Sequence, residues 1–387
     1  MAKTDASVND ARGISVLHIV NKWKKGGVER FVEDFVGSQE GCRLSQSMLS
    51  ICTGIVSSVD CPKYGPMHDG ESMPSMLWGA FALDGFLAGH AFDVVHIHTQ
   101  NSSGFLYAAI AKKRGVPCRI IHSHNSSLGI GSGVVKRMVQ VLFRVVFEGS
   151  ETTRLACSTE AGEHLFSNNG FRIVPNGIEL DRFLYDDSER HCIREHLGIS
   201  DGEMLVSCVG SMIQAKNHIR ALSVFAELLH YRPDAKLLIL GDGELRSFIE
   251  EESARLGIAD RVCLPGYVED AWRWYSAMDA VLFPSLHEGF PLSLVEAQCN
   301  GLPVVCSDTV TREVGILESC RFLPLEGSDT LWAKALLSAH RDTTKASAEL
   351  VKSKGFDREN TAELLLEIYT AFDSGYSGRS ACLATRK

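Results

Sequence analysis

Short apolar runs alternate with helically spaced stretches along this chain. In the first half, residues 14–20, 92–98, 116–122 and 155–158 read as strands; in the second, 204–210, 236–240, 262–268, 280–285 and 302–306 do. Between the first two runs, Val28, Phe31, Val32, Phe35 and Val36 recur at helical spacing and predict a helix over 28–37. Helices are likewise predicted over 104–114, 160–166, 217–229, after Ser328 and over 359–372. Strand, helix, strand in succession implies parallel sheets with right-handed crossovers, in which ligands gather beyond the carboxyl ends of the strands. Residues 54–76 are rich in Gly, Pro, Ser and Met without a period and read as a variable loop or short irregular strand, and 374–387 read as a disordered tail.

Composition sets outer bounds on this picture. A chain of 387 residues with 45% hydrophobic and 22% charged positions suits two domains of ordinary size. The net charge of -9, with no long basic run, argues against nucleic acid as a partner. Twelve cysteines are scattered without a C-x-x-C pair, as expected of reduced thiols in a cytosol. The first fifteen residues lack an apolar core and no apolar run reaches about eighteen residues, so the expectation is a cytoplasmic protein, soluble or peripheral to a membrane. One segment bears on that choice: between Gly129 and Phe147, Val134, Val135, Met138, Val141, Leu142, Val145 and Val146 form the broad apolar face of a predicted helix, with Lys136, Arg137 and Arg144 elsewhere. Three basic residues are few for a membrane-surface helix, so packing on the domain core is the preferred reading.

Candidate chemistry sits where strands end. After the first strand, the loop through Lys22, Lys24, Lys25, Gly26 and Gly27 can bring amides and positive charge to an anion. His96 with His98, and His122 with His124, close two further strands, and alternation puts both members of each pair on one side. No carboxylate or thiolate completes a metal set beside them, so no metal is expected. In the second half the strand at 280–285 runs into His287-Glu288-Gly289-Phe290-Pro291-Leu292-Ser293-Leu294-Val295-Glu296. Pro291 suits a first helical position, which would leave the amides of Leu292, Ser293 and Leu294 as unpaired donors for a phosphate. Glu288 precedes that helix and Glu296 lies within it, so the two carboxylates can accept hydroxyls from different parts of one ligand. Lys216 precedes another helix and can place an ammonium on a diphosphate.

The stretch EGFPLSLVEAQCNGLPVVCSD resembles the nucleotide-sugar site of retaining glycosyltransferases of family 4, which have the two-domain GT-B fold. The resemblance covers roughly residues 14–372 and is most similar to bacterial exopolysaccharide and capsule enzymes. It implies an α/β architecture of two doubly wound, Rossmann-like domains facing across a cleft: an acceptor domain over 1–175, a nucleotide-sugar domain over 176–355, a helix at 356–373 crossing back, and a tail at 374–387. It implies transfer of a sugar from a nucleotide-sugar, UDP-linked by expectation, to a glycan or polyprenyl-diphosphate-linked hydroxyl. Glu288 and His124, with His122 second, would orient the sugar, and Lys216 would hold the phosphates. Gly26, Gly27, Ser211, Val268, Phe290, Pro291, Leu292, Ser293 and Glu296 would complete the donor site, with Glu296 on the ribose, and His98 and Asn125 would lie on the acceptor side. No cofactor or essential metal is implied. At Ser211 the chain departs from the pattern, since most members carry an arginine there, and a lost guanidinium weakens the hold on the leaving diphosphate. A sugar-nucleotide 2-epimerase and a non-catalytic nucleotide-sugar binder share the architecture and are the alternatives. A dinucleotide dehydrogenase is disfavoured, because no strand leads into G-x-G-x-x-G.

Overall fold

A computed structural model describes residues 13–21, 27–51, 55–58, 73–99, 101–125, 134–167 and 170–376. The chain divides into two compact units, Met1–Gly177 with Arg358–Lys387, and Ile178–Asp357.

The first unit runs β1 (Ser15–Val20), α1 (Gly27–Val36), β2 (Ser45–Ser50), β3 (Ile55–Ser58), α2 (Met73–Gly89), β4 (Val94–Thr99), α3 (Ser103–Lys113), β5 (Cys118–Ser123), α4 (Val134–Phe147), β6 (Thr153–Ala156), α5 (Thr159–Phe166) and β7 (Arg172–Ile173). Its sheet has the order β3-β2-β1-β4-β5-β6-β7, parallel except for β3, which pairs antiparallel with β2. Alternation decides the two faces. Leu17, Ile19, Val95, Ile97 and Ile121 pack under Phe105 and Ala108 of α3. Val16, Val20, Val94 and Ile120 face the other way, toward Phe31 and Phe35 of α1. Each such aliphatic side chain taken out of water stabilises the fold by about 1.5–3 kcal/mol.

The second unit runs α6 (Asp187–His196), β8 (Leu205–Val209), α7 (His218–Leu228), β9 (Lys236–Leu240), α8 (Arg246–Arg255), β10 (Val262–Gly266), α9 (Ala271–Ala277), β11 (Ala280–Phe283), α10 (Leu292–Cys299), β12 (Val304–Ser307), β13 (Cys320–Leu323), α11 (Asp329–Leu337) and α12 (Ala346–Ser353). Its six parallel strands have the order β10-β9-β8-β11-β12-β13, the doubly wound order of a dinucleotide-type fold, reversing between β8 and β11. Val206, Ile239, Leu282 and Val305 pack against Phe225 of α7 and Trp332 of α11. The last helix, α13 (Arg358–Tyr376), belongs to the first unit, where Ala362, Leu365 and Tyr369 join the core under α1.

Residues 54–76 contain β3, a short strand in line with one of the two expectations for this stretch, and the start of α2, which neither included. Two further expectations are corrected here. The helix α13 continues to Tyr376, past the start of the expected tail, and 377–387 lie outside the described residues. The face of α4 is not packed on the core: Phe143 and Gln140 are buried, whereas Met138, Val141, Leu142, Val145 and Val146 are exposed, Val145 by 72%. A helix of this fold needs only a narrow stripe for packing, and α4 carries apolar residues well beyond it. Among the described residues no helix is long and apolar enough to cross a membrane.

Candidate functional site

In the second unit the site grows from the two strands that flank the topological reversal. After β8 the chain turns at Gly210, whose φ of +147° is one that other residues rarely adopt, and an added Cβ would lie 2.9 Å from Lys216 Cε and displace that side chain. Gly241 after β9 packs against the Gly210 carbonyl in the same way. A short turn over Gln214–Lys216 and a left-handed Asn217 then start α7. The Asn217 side-chain amide donates to the Pro284 carbonyl at 3.1 Å, and the Leu286 amide donates to the Ala215 carbonyl at 2.8 Å. These two bonds fasten the loop after β8 to the loop after β11. Lys216 thereby reaches Glu288, with Nζ 2.9 Å from Oε1, and its ammonium lies 4.6 Å from the Phe283 ring centre.

Pro291 is not the first helical residue but the N-cap, with extended ψ of 96°, and α10 starts at Leu292. The Leu294 amide already donates to the Pro291 carbonyl at 3.0 Å. Of the three amides expected to be available to an anion, Leu294 is therefore used by this bond to the residue three back, and Leu292 and Ser293 remain, since neither has a carbonyl within the helix to donate to. Glu296, one turn in, is buried, and its Oε2 accepts a 2.6 Å hydrogen bond from Tyr275. The sequence carries no sign of this contact, because nothing in the pattern of α9 shows which element the Tyr275 hydroxyl meets. The Phe290 ring stacks on Phe356 at 5.3 Å, which anchors the loop. Val268, half-buried, follows the end of β10, and Ser211 is exposed. The structure thus brings Lys216, Glu288 and the start of α10 to the carboxyl ends of β8 and β11, with Glu296 fixed from behind.

In the first unit the same end of the sheet carries five histidines. The alternation that points Val16, Val94 and Ile120 at α1 also points His18, His96, His98, His122 and His124 to that side. Register makes them neighbours, since His18 pairs with His96 and His98 with His122. All five are buried beneath Phe31 and Phe35, with Phe31 edge-on to His98, His122 and His124. Two hydrogen-bonded arms result. In one, Gln46 meets His18 at 2.8 Å, His18 meets His98 at 3.1 Å and His98 meets His124 at 3.0 Å. In the other, the Tyr369 hydroxyl meets His96 at 2.6 Å and His96 meets His122 at 3.2 Å. Burial lowers His18 to about 4 and His124 to about 3, and takes the other three well below the ordinary histidine value, so all five are neutral near pH 7.

Nitrogens of His18, His96 and His98, and of His98, His122 and His124, lie close enough to hold a metal ion. Most of those nitrogens are hydrogen-bonded to one another, so a metal would have to displace shared protons. His18 and Gln46 were missed by sequence reading, which saw two histidine pairs and not the register joining them to β1 and β2. Gly27 opens α1 and Asn125 follows His124 beyond β5, while Gly26, Lys22, Lys24 and Lys25 lie outside the described residues.

Comparison with known proteins places both halves. Residues 38–177 match the glycosyl transferase 4-like domain and residues 189–352 match the glycosyl transferases group 1. The chain is 31% identical over 287 residues to the putative glycosyltransferase EpsF of Bacillus subtilis, covering 72% of this chain and 74% of that one. It is 27% identical over 232 residues to the UDP-Gal:alpha-D-GlcNAc-diphosphoundecaprenol alpha-1,3-galactosyltransferase of Escherichia coli, covering 56% and 58% of the two chains. In fold it is similar to Anabaena HepE, solved in complex with UDP-glucose, with a TM-score of 0.72, 16% identity, and 92% and 100% of the two chains covered. The chain belongs to the GT-B glycosyltransferases that join a 4-like domain to a group 1 domain.

Proposed function

We propose that this protein transfers a hexose from a UDP-sugar to a hydroxyl of a glycan or polyprenyl-diphosphate-linked acceptor, with retention at the anomeric carbon, in the synthesis of a cell-surface polysaccharide. The carrying observation is the joining of Lys216 and Glu288, 2.9 Å apart, at the start of α10, with Glu296 held by Tyr275 one turn further. An ammonium and a helix start suit a diphosphate, and two separated carboxylates suit the hydroxyls of a sugar and a ribose. On this reading the second unit holds the donor and the first supplies acceptor contacts through Asn125; His98, expected beside the acceptor, is buried with both ring nitrogens bonded to His18 and His124 and so acts behind His124 instead. Val268 and the backbone at Phe290 border the donor. The bond from the anomeric carbon to the phosphate oxygen breaks, the acceptor oxygen bonds on the same face, and its proton passes to the departing phosphate.

Lys216 stabilises the leaving diphosphate, while Glu288 and His124 orient the sugar. With Ser211 in place of a second cation, the chemical step is slow for this kind of site. No resident metal is part of the reading. The relative from Escherichia coli carries a diphosphoundecaprenol acceptor in its name and HepE was solved with UDP-glucose, which supports the donor and acceptor classes. The exposed apolar stripe of α4 supports peripheral contact with the inner membrane face, where such an acceptor resides.

The test pairs UDP-, GDP- and ADP-sugars with a polyprenyl-diphosphate-linked acceptor and reads the product anomer by NMR. Transfer from a UDP-sugar with retention is expected. Inversion, or turnover only with another nucleotide, overturns the reading. Flotation with anionic vesicles should be lost on Val141→Glu with Val145→Glu, and unchanged flotation would remove the membrane contact.

A further inference from the structure

The longer histidine arm admits one arrangement of protons. Gln46 Nε2 lies 2.8 Å from the Gly41 carbonyl, which can only accept, so the orientation of this amide is fixed. Its Oε1 therefore faces His18 Nε2 at 2.8 Å, and that nitrogen must carry the proton. A neutral imidazole has a single N–H, so His18 Nδ1 is a lone pair and His98 Nε2, 3.1 Å away, must donate to it. The step repeats: His98 Nδ1 accepts from His124 Nε2 at 3.0 Å. His124 Nδ1 is left as a lone pair, buried and without a hydrogen-bond partner among the described residues. Turning one ring's proton around would set two N–H groups or two lone pairs against each other at a buried link. The shorter arm has no such fixed end, because the Tyr369 hydroxyl can donate or accept.

We infer that Gln46, acting through His18 and His98, fixes the tautomer of His124 so that its Nδ1 accepts a hydrogen bond from a hydroxyl of the bound sugar. The inference rests on the reading of His124 as a sugar contact and adds the polarity of that contact. Gln46, His18 and His98 are positioning residues. The arrangement gives a specificity that a lone histidine lacks. A single imidazole at this place could present either nitrogen form and so accept from a hydroxyl or donate to another acceptor. The wired ring only accepts, and bonds that run head to tail polarise one another in the same direction. A sugar in which fluorine replaces the contacted hydroxyl would set a second acceptor against the lone pair and is rejected.

The test is a tautomer measurement on the full-length protein labelled with 15N-histidine, using long-range 1H–15N correlation at pH 7.5, with His18→Asn, His98→Asn and His124→Asn for assignment. Unprotonated Nδ1 and protonated Nε2 are expected at all three rings. An Nδ1–H form at any of them, or a bound zinc ion lost on His98→Asn, overturns the proposal. Gln46→Met should bring up an Nδ1–H population at His124. In the same variant, the roughly tenfold preference for the hydroxyl donor over its deoxyfluoro analogue, found by scanning ring positions, should shrink toward unity. An unchanged tautomer in that variant overturns the role of Gln46, and if the variant does not fold, the wild-type spectrum still decides. Failure of every nucleotide-sugar to bind would defeat the functional reading while leaving the tautomer signals as they are. An Nδ1–H at His124 with donor binding intact would defeat only this inference.

Discussion

Mild acid should loosen the first unit before the second. In an unfolded chain a histidine titrates near 6.5. In the fold, burial holds His18 at about 4, His124 at about 3, and His96, His98 and His122 well below the ordinary value. These folded values are depressed, so the unfolded state binds more protons as pH falls from about 6.5 toward 4, and stability falls with it. Between pH 7 and 6 each such site loses about 0.7 kcal/mol, and five lose about 3 kcal/mol, a large share of the 5–15 kcal/mol typical of a domain. Among the described residues nothing facing the ladder offsets the change: α1 presents Phe31 and Phe35, β2 presents the neutral Gln46, and α13 presents Tyr369, whose hydroxyl burial keeps protonated. His164 on α5, also lowered by burial, acts in the same direction. In the second unit only His218, at about 4, is so placed among the described residues. Hydrogen exchange read by mass spectrometry, corrected for the intrinsic pH dependence, separates the units. Protection over β1, β4 and β5 should fall by about two orders of magnitude from pH 7 to 6, whereas β9 should change by less than tenfold. Equal loss in both units, or none in the first, would refute the reasoning.

Other substitutions probe the second unit. Glu288→Gln removes the partner of Lys216 and should lower kcat by about a hundredfold while leaving the Kd for UDP unchanged or tighter, as steady-state kinetics and calorimetry would report. Ser211→Arg, adding a guanidinium beside the expected phosphates, should tighten UDP binding by about tenfold and raise turnover; a weaker complex would show that the loop after β8 does not face the diphosphate. Tyr275→Phe strips the buried Glu296 carboxylate of its 2.6 Å donor and should destabilise the second unit by about 2 kcal/mol in urea unfolding.

What the sequence made legible was what lies within one contiguous segment. The strands over 236–240 and 280–283 announce themselves by apolar runs, and the donor segment from Glu288 to Glu296 keeps its two carboxylates and helix start within ten residues. Contacts across elements were not legible. His18 stands in an ordinary strand pattern, and only the parallel register of β1 with β4 makes it a neighbour of His96. Gln46 lies in a polar strand whose pairing with β1 no periodicity reveals. Tyr275 reads as an aromatic on a helix until the packing of α9 brings its hydroxyl to Glu296. For α4, apolar spacing gives the helix, but burial depends on which neighbours cover it.

Binding of UDP to the wild-type protein and to Glu296→Ala, measured by isothermal titration calorimetry, tests the central claim most directly. The account predicts a one-to-one complex with the wild type and an affinity at least about tenfold weaker in the variant, from loss of a carboxylate that accepts the ribose hydroxyls. No complex with UDP, or equal affinity in the two proteins, would contradict it.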